Sequence, residues 1–194
     1  MEVGSADFLQ LTSIDVIGQT FDAKLYVELV FPGGADDPDL SKSSAEFPVD
    51  AEGIPTFRPS AQWFLNQVDV NNSVDYHFID KKVLTKEHDL HLCVYLSGKF
   101  TETYELQDFP FDVQFLTVSI SINCRTTGKI PVRITLGNAD NGGAQWAHRP
   151  IGDVAFPLEH VYNLRNQLIV SVGEHGMDAR IFPAMNVAAV LMRR

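Results

Sequence analysis

The histidines and the carboxylates of two acidic loops are the side chains of this protein best suited to bind protons or metal ions. Imidazole titrates near neutral pH, and five of the six histidines lie from position 88 onwards: His88, His91, His148, His160 and His175. His88 and His91 are three residues apart, which places them on opposite faces of a strand, so we expect no zinc site there. The loops at 36–39 and around Asp140 carry carboxylates of the kind that Ca²⁺ prefers. We expect no cofactor, and Ca²⁺ is the ion for which the sequence offers ligands.

The sequence lacks the common signatures of a catalytic site. It contains no G-x-S-x-G nucleophile motif, no H-E-x-x-H zinc motif and no glycine-rich loop that could hold a phosphate. We therefore expect a binding protein and not an enzyme. A hydrolytic sandwich, or a soluble secreted or periplasmic sandwich that binds carbohydrate or another ligand, is the alternative. Such a protein would be a monomer with an exposed aromatic platform.

The composition is that of one acidic globular domain covering residues 1–194. The chain is 45% hydrophobic and 10% aromatic, with a formal net charge of −10, which argues against a nucleic-acid partner because such surfaces need clustered Lys and Arg. No run of 18 apolar residues is present, so we predict no membrane span, and the first residues lack the features of a signal peptide. Two cysteines, Cys93 and Cys124, are too few for a disulfide framework, and the sequence does not decide whether they pair.

Alternating apolar and polar residues predict a series of short β-strands. The clearest alternation runs from 21 to 31 and directs Tyr26 and Glu28 away from the apolar face. Further strands are predicted at 8–16, 63–70, 75–85, 90–96, 115–122, 132–136, 164–172 and 184–192. About ten strands without an amphipathic helix predict an all-β, immunoglobulin-like β-sandwich with Greek-key connections.

Two segments between the predicted strands are long enough to suggest function. Residues 137–152 are rich in glycine and asparagine, and 173–183 join the last two strands. Typical hairpin connections have only about 2–5 residues, and longer loops in compact domains often carry binding residues. We therefore expect functional residues within 173–183.

The segment Leu106–Gln114 combines a sharp turn with two aromatic side chains. Pro110 has no amide proton and a fixed φ, so the chain must turn there. Phe109 and Phe111 flank it, and two exposed phenylalanines on a turn are costly unless an apolar surface covers them. They either plug one end of the sandwich core or dock against a surface outside the domain.

The sequence Phe109–Gln114 (F-P-F-D-V-Q) resembles the F-P-F-D-x-Q loop of the pentameric ligand-gated ion channels, which belongs to their extracellular ligand-binding domain. The segment Phe57–Pro59, followed by Phe64 and Asn66, resembles the W-x-P…N pattern of the first binding loop in that family, with Phe in place of Trp. The resemblance implies a ligand-binding ectodomain whose closure is transmitted to a membrane pore.

Three further features are similar to this family or depart from it. Tyr26 and Phe31 have the spacing of two aromatics on the family's second strand, and residues 187–194 resemble its last extracellular strand, with a basic end. Animal receptors close the F-P-F-D loop with a disulfide, but Glu102 and Leu116 stand at those positions. The resemblance is therefore to the disulfide-free, non-animal-type members of the Cys-loop receptor superfamily.

The resemblance implies a ligand site between identical subunits of a homopentamer on the extracellular or periplasmic face of a cell membrane. The implied ligand-binding residues are Phe64, Asn123, Arg125, Arg180 and Phe182 on the principal side and Tyr26, Glu28 and Tyr95 on the complementary side. Because the second binding loop lacks an aromatic, a complete aromatic box for a quaternary amine is not expected. The guanidinium pair suits a small anionic or zwitterionic ligand, and protons are the competing agonist.

The resemblance also implies an end of the domain that couples to a membrane part not included in this sequence. The residues assigned to this coupling role are Asp15, Gln19, Phe109, Pro110, Phe111, Asp112, Arg193 and Arg194. Asp112 is expected to pair with one of the two arginines. Agonist identity and ion selectivity lie beyond what the sequence can indicate.

Overall fold

In the computed structural model, residues 1–103, 113–137, 145–177 and 180–194 are described, and they form two antiparallel sheets around one core. The first sheet has the order β1-β2-β5-β4, with β1 (Glu2–Asp15), β2 (Thr20–Phe31), β4 (Ser73–Lys86) and β5 (Asp89–Thr101). The second has the order β3-β6-β9-β8-β7, with β3 (Val68–Val70), β6 (Val113–Ile122), β7 (Trp146–Pro150), β8 (Tyr162–Met177) and β9 (Arg180–Arg193). A short helix α1 (Ala61–Asn66) and a 3₁₀ turn (Gly34–Asp36) complete the described elements. The predicted all-β sandwich is confirmed.

The core lies between the sheets and follows the predicted alternation of β2. Phe21, Leu25 and Leu29 are at most 1% exposed, whereas Tyr26 between them is half-buried on the opposite face. Leucines and isoleucines of β6 and β9 close the core from the second sheet. Each fully buried side chain of this size stabilises the fold by about 1.5–3 kcal/mol, so this face fixes which side chains of β2 are left outside.

The turn between β3 and β4 carries the chain from the second sheet to the first. At this crossing the Asn72 side-chain amide donates to the carbonyl of Thr101 at 3.0 Å and to that of Thr117 at 2.7 Å. Its oxygen accepts from the amide of Ser119 at 2.9 Å. One side chain thus joins the backbone of β5 in the first sheet to that of β6 in the second.

Arg149 joins the sheets at their opposite edge. Its guanidinium donates to the backbone carbonyls of Gly4 at 2.6 Å and Val3 at 2.8 Å, which links β7 to β1. Burial lowers the pKa of this guanidinium, and Asp7 opposes that effect. The segment 137–152 was predicted to be a loop, and this was wrong for Trp146–Pro150, which pairs with β8.

The strand predicted at 63–70 is wrong for its first half, which is helical. Ser60 accepts a hydrogen bond from the amide of Trp63 at 3.1 Å and so caps the helix. Ala61, Phe64 and Leu65 are the buried residues, and their i, i+3, i+4 spacing is that of one helical face. With only six residues, the helical period was too short to stand out from a strand pattern.

The strand predicted at 132–136 does not form. Val132, Ile134 and Leu136 are buried as the alternation suggested, but only an isolated parallel bridge, from Glu2 to Thr135, involves this segment. An extended segment with one buried face shows alternating apolar and polar residues whether or not it pairs with a neighbouring strand. The alternation at 132–136 therefore could not show that such pairing is missing.

The long connection predicted at 173–183 is instead part of the last hairpin. The β8–β9 ladder continues through Glu174↔Pro183 and His175↔Phe182 to Met177↔Arg180. Residues 173–177 are exposed, so no apolar alternation marks them as a strand. Backbone pairing extends this hairpin beyond the part that the core covers.

Replacing Asn72 with alanine tests whether its amide joins the two sheets. The change leaves two carbonyls and one amide without their partner, so we expect the free energy of unfolding to fall by about 2 kcal/mol in urea denaturation. Asn71→Ala is the matched control, since the hydrogen bonds of the Asn71 side chain to described residues go to the hydroxyls of Ser119 and Ser121, both on β6. Equal losses in the two variants would contradict the role given to Asn72.

Candidate functional site

The outward face of the first sheet carries the best-defined polar cluster among the described residues. Strands β2 and β5 pair so that Tyr26 lies opposite Tyr95 and Glu28 opposite Cys93. Because the neighbouring apolar residues point into the core, these four side chains share the other face. The rings of Tyr26 and Tyr95 have centroids 4.6 Å apart at an interplanar angle of 38°.

Glu28 is the centre of this cluster, and it is only 8% exposed although it points away from the core. Its carboxylate accepts hydrogen bonds from the Tyr26 hydroxyl at 2.6 Å and from Lys86 Nζ at 2.9 Å. It also contacts His91 Nδ1. Three strands therefore supply the partners: β2 gives Tyr26, β4 gives Lys86 and β5 gives His91.

These contacts shift the pKa values of the cluster. Burial alone would raise the pKa of Glu28, but the hydrogen bonds from Tyr26, Lys86 and His91 outweigh it and lower this pKa to about 2. Burial, the contact with Cys93 and the bond to Glu28 all raise the pKa of the Tyr26 phenol. Glu28 is thus an ionised carboxylate held beside a neutral tyrosine.

Cys93 lies beneath this cluster and is 1% exposed, with its Sγ 3.4 Å from the Tyr26 hydroxyl. Cys124 is also buried, with its thiol 3.2 Å from the carbonyl of Ile130, and burial raises its pKa. Both are free thiols. The question that the sequence left open is answered: the two cysteines are not paired.

A second group of predicted site residues lies at one end of the second sheet. The amide of Thr126 donates to the carbonyl of Ile181 at 2.9 Å, which holds the 123–126 loop against the start of β9. Asn123 and Arg125 belong to that loop, and Arg180 and Phe182 belong to β9. Arg125 and Arg180 are exposed, and neither forms an ion pair with the described residues.

Asp69 and Tyr76 adjoin this second group and were not predicted. Asp69 accepts hydrogen bonds from the Tyr76 hydroxyl at 2.6 Å and from Asn123 Nδ2 at 3.2 Å. Burial and the bond to Asp69 raise the pKa of Tyr76 to about 12. Burial opposes the fall in the Asp69 pKa, but the hydrogen bonds from Tyr76, Asn123 and the Val70 amide prevail and lower it. Asp69 thus orients Asn123 from the neighbouring strand.

Phe64 lies apart from both groups, on α1. It is 4% exposed, and its ring centroid is 5.3 Å from that of Phe31 and 5.2 Å from that of Trp63. The structure therefore brings Tyr26, Glu28 and Tyr95 together, collects Asn123, Arg125, Arg180 and Phe182 elsewhere, and leaves Phe64 in the core. The ligand contacts of all eight residues stay predictions.

The predicted coupling residues at 15–20 form a tight turn. The Asp15 carboxylate accepts from the amides of Ile17 at 3.1 Å and Gly18 at 2.8 Å, and Gln19 has a left-handed φ of 53°. The Gln19 carbonyl accepts from the amide of Glu102 at 2.9 Å. This turn therefore adjoins the residues that precede segment 104–112.

The C-terminal residues adjoin the other flank of that segment. Val113 pairs with Met192 in the β6–β9 ladder, and the next residue, Arg193, pairs with Tyr162. Arg194 donates through Nε to Asn163 at 2.7 Å. Phe109, Pro110, Phe111 and Asp112 lie outside the described residues, so their coupling role stays a prediction.

The acidic loop at 36–39 uses its carboxylates within the protein. Asp36 contacts His88 Nδ1 at 2.8 Å, and Asp37 accepts from the amides of Asp39 and Leu40 at 2.8 and 3.1 Å. Lys42 reaches Asp39 at 2.6 Å. Within ranges 1–103, 113–137, 145–177 and 180–194, no group of three or more His, Cys, Asp or Glu could hold a metal ion. Asp140 lies outside these ranges.

No protein-family model matches the sequence, and no curated protein matches it. In the part of the chain that the structure describes, no helix has the length and apolar character needed to cross a membrane.

Replacing Glu28 with glutamine tests whether its charge stabilises the fold. Because its folded pKa of about 2 lies below the ordinary 4.5, ionised Glu28 stabilises the protein above pH 4.5 and loses this contribution as the pH falls towards 2. At pH 7 we expect Glu28→Gln to lower the free energy of unfolding by about 2–3 kcal/mol. The gap from the parent protein should narrow between about pH 5 and pH 2 in urea titrations. The exposed Glu46→Gln is the control, and a gap for Glu28→Gln that does not change with pH would contradict the assignment.

Proposed function

We propose that this chain is the ligand-binding ectodomain of a pentameric ligand-gated ion channel, which binds a small agonist between neighbouring subunits. The observation that carries the proposal is the division of the candidate residues into two groups on different sheets. Tyr26, Glu28 and Tyr95 share the outward face of the first sheet, and the arginine group lies at the end of the second. A site between subunits needs two such half-sites, because each subunit contributes one half to each neighbour.

The chemistry of the two halves favours an amino-acid-like zwitterion. Arg125 and Arg180 are exposed guanidinium groups that could each fork onto a carboxylate. On the other half, Tyr26 and Tyr95 present ring faces, and Lys82 Nζ already lies 5.6 Å from the Tyr95 centroid, so a cation fits there. Protons are the competing agonist, because the chain carries six histidines, the side chain that titrates near neutral pH.

In this proposal the β8–β9 hairpin closes over the ligand. A ligand favours closure only if it binds the closed state more tightly than the open one. The turn at 15–20, segment 104–112 and the arginines at 193–194 would pass the movement to a membrane domain, since both flanks of that segment adjoin the other two elements. The chain would then lie on the extracellular or periplasmic face of a cell membrane, as one of five identical subunits.

A mixing experiment tests whether the two half-sites act between subunits. Arg180→Gln removes one half and Tyr95→Ala the other, so we expect each variant alone to lose stabilisation by amino acids in thermal unfolding. Mixed and co-refolded, the two variants should regain part of it, because about one quarter of random interfaces pair two intact halves. The matched control is Arg165→Gln, which changes an exposed arginine outside both groups. This variant alone should keep its stabilisation by amino acids.

Two outcomes of this experiment would count against the proposal. If no amino acid or organic acid stabilises the parent protein, no such agonist site exists. If the parent protein binds but mixing restores nothing in samples whose mass shows assembly, the two groups do not meet between subunits.

A soluble sandwich that binds carbohydrate is the second candidate, and Trp146 favours it. This indole is 58% exposed on the strand β7, and its ring packs edge-on against His148 with centroids 5.3 Å apart. An exposed aromatic on a sheet edge suits stacking against a sugar ring. This candidate predicts a monomer whose sugar binding is lost in Trp146→Ala and kept in Tyr95→Ala. The opposite pattern of losses would exclude it.

A further inference from the structure

A crevice of about 400 Å³ lies beside α1, separate from the cluster around Glu28. It is bordered by the end of β2, the loop that follows β2, the residues just before α1, and the segment 130–133. Its volume is within the range of about 300–1,000 Å³ that is usual for sites that bind small molecules. All of these elements belong to one protomer, so the crevice does not depend on assembly.

The floor of the crevice is apolar. Phe31 and Phe64 pack there with ring centroids 5.3 Å apart, and Leu40, Ile130 and Val132 border them. Phe64 and Val132 are nearly buried, and the other three are half-buried. A ligand seated here would therefore remove further apolar surface from water, which favours a compact hydrophobic body.

The rim carries charges of both signs, and both carboxylates already have partners within the protein. Asp37 accepts two backbone amides, and Asp39 contacts Lys42 at 2.6 Å and Arg58 at 3.4 Å. The Arg58 side chain is 74% exposed, so this long contact is weak. If Arg58 turned towards a ligand, Lys42 would still neutralise Asp39.

Arg133 is the rim cation whose side chain has no partner among the described residues. Its backbone carbonyl accepts a hydrogen bond from the Met1 amine at 3.0 Å, which holds this segment at the rim. Its guanidinium forms no hydrogen bond or ion pair with any described residue, and Arg133 belongs to the segment 130–133 that borders the crevice. The rim therefore presents one uncommitted guanidinium and a second, Arg58, that is easily released.

We propose that this crevice binds a small monocarboxylate with a compact apolar body, such as an aromatic or branched aliphatic acid. The planar guanidinium of Arg133 accepts the carboxylate in a forked pair, Arg58 assists, and the phenylalanine floor holds the body. Inorganic anions would leave the floor unused, and ammonium ligands would be repelled by two guanidinium groups. The site lies within one protomer and is independent of the interface proposed above.

Trp63 offers a direct optical test, because its ring centroid is 5.2 Å from that of Phe64 at the crevice floor. The chain has two tryptophans, so Trp146→Phe leaves Trp63 as the only indole. In that background we expect benzoate to change the Trp63 emission saturably in the monomeric protein. Benzamide, which keeps the ring without the charge, and acetate, which keeps the charge without the ring, should each bind at least about tenfold more weakly.

Variants at the rim decide whether Arg133 makes the contact. Arg133→Gln should weaken benzoate binding at least about tenfold. Arg133→Lys keeps the charge but not the forked geometry, so its benzoate affinity should lie between those of the parent protein and Arg133→Gln. Arg165→Gln, which changes an exposed arginine of β8, is the matched control and should leave benzoate binding unchanged. Circular dichroism and the ligand-free Trp63 emission establish that each variant is folded.

Three results would overturn this assignment. The first is no saturable change with benzoate, the second is equal binding of benzamide, and the third is unchanged benzoate affinity in a folded Arg133→Gln protein. None of these would bear on the interface site, since that site is tested by stabilisation in assembled mixtures and by Tyr95→Ala.

Discussion

Two side chains, one at each edge of the sandwich, hold one sheet in position against the other by hydrogen bonds to its backbone. Apolar packing pulls the sheets together but is not directional. The amide of Asn72 fixes β5 against β6, and the guanidinium of Arg149 fixes β7 against β1. Both contacts end on backbone atoms, so they are independent of side-chain rotamers on the receiving strand. The relative placement of the two groups of candidate residues, which belong to different sheets, follows from them.

Much of this fold could be predicted from period-two alternation, and each failure has a physical cause of its own. The alternation of β2 correctly separated Tyr26 and Glu28 from Phe21, Leu25 and Leu29. The helix Ala61–Asn66 was missed because two turns give too few repeats to distinguish periods of two and 3.6. The last hairpin was underestimated because residues 173–177 are held by backbone pairing, which leaves no mark on side-chain polarity. Neither Asn72 nor Arg149 carried a local signal, since their partners are distant in sequence.

For the candidate site, the direction of the side chains could be predicted from the sequence, but the burial of Glu28 and its charged neighbours could not. The shared face of Tyr26, Glu28 and Tyr95 follows from two alternating strands once they are neighbours. That Glu28 is nearly buried depends on Lys86 and His91, and their proximity depends on strand register. Single-sequence patterns do not determine register between strands so far apart. The crevice beside α1 was invisible for a similar reason: its walls come from four separate parts of the chain.

The part of the β8–β9 hairpin beyond the core has a consequence for the internal motions of the domain. Residues 173–177 and Arg180 are exposed and bury little against either sheet, and the Thr126–Ile181 bond ties the far end of this hairpin to the 123–126 loop. Opening such a segment breaks a few ladder hydrogen bonds and exposes almost no apolar surface. Its amide protons should therefore exchange with solvent far faster than those of β2 and β5, at a fraction of the free energy of global unfolding. The domain thus combines a well-packed core with a hairpin arm that can open without global unfolding once its tie to the 123–126 loop is broken.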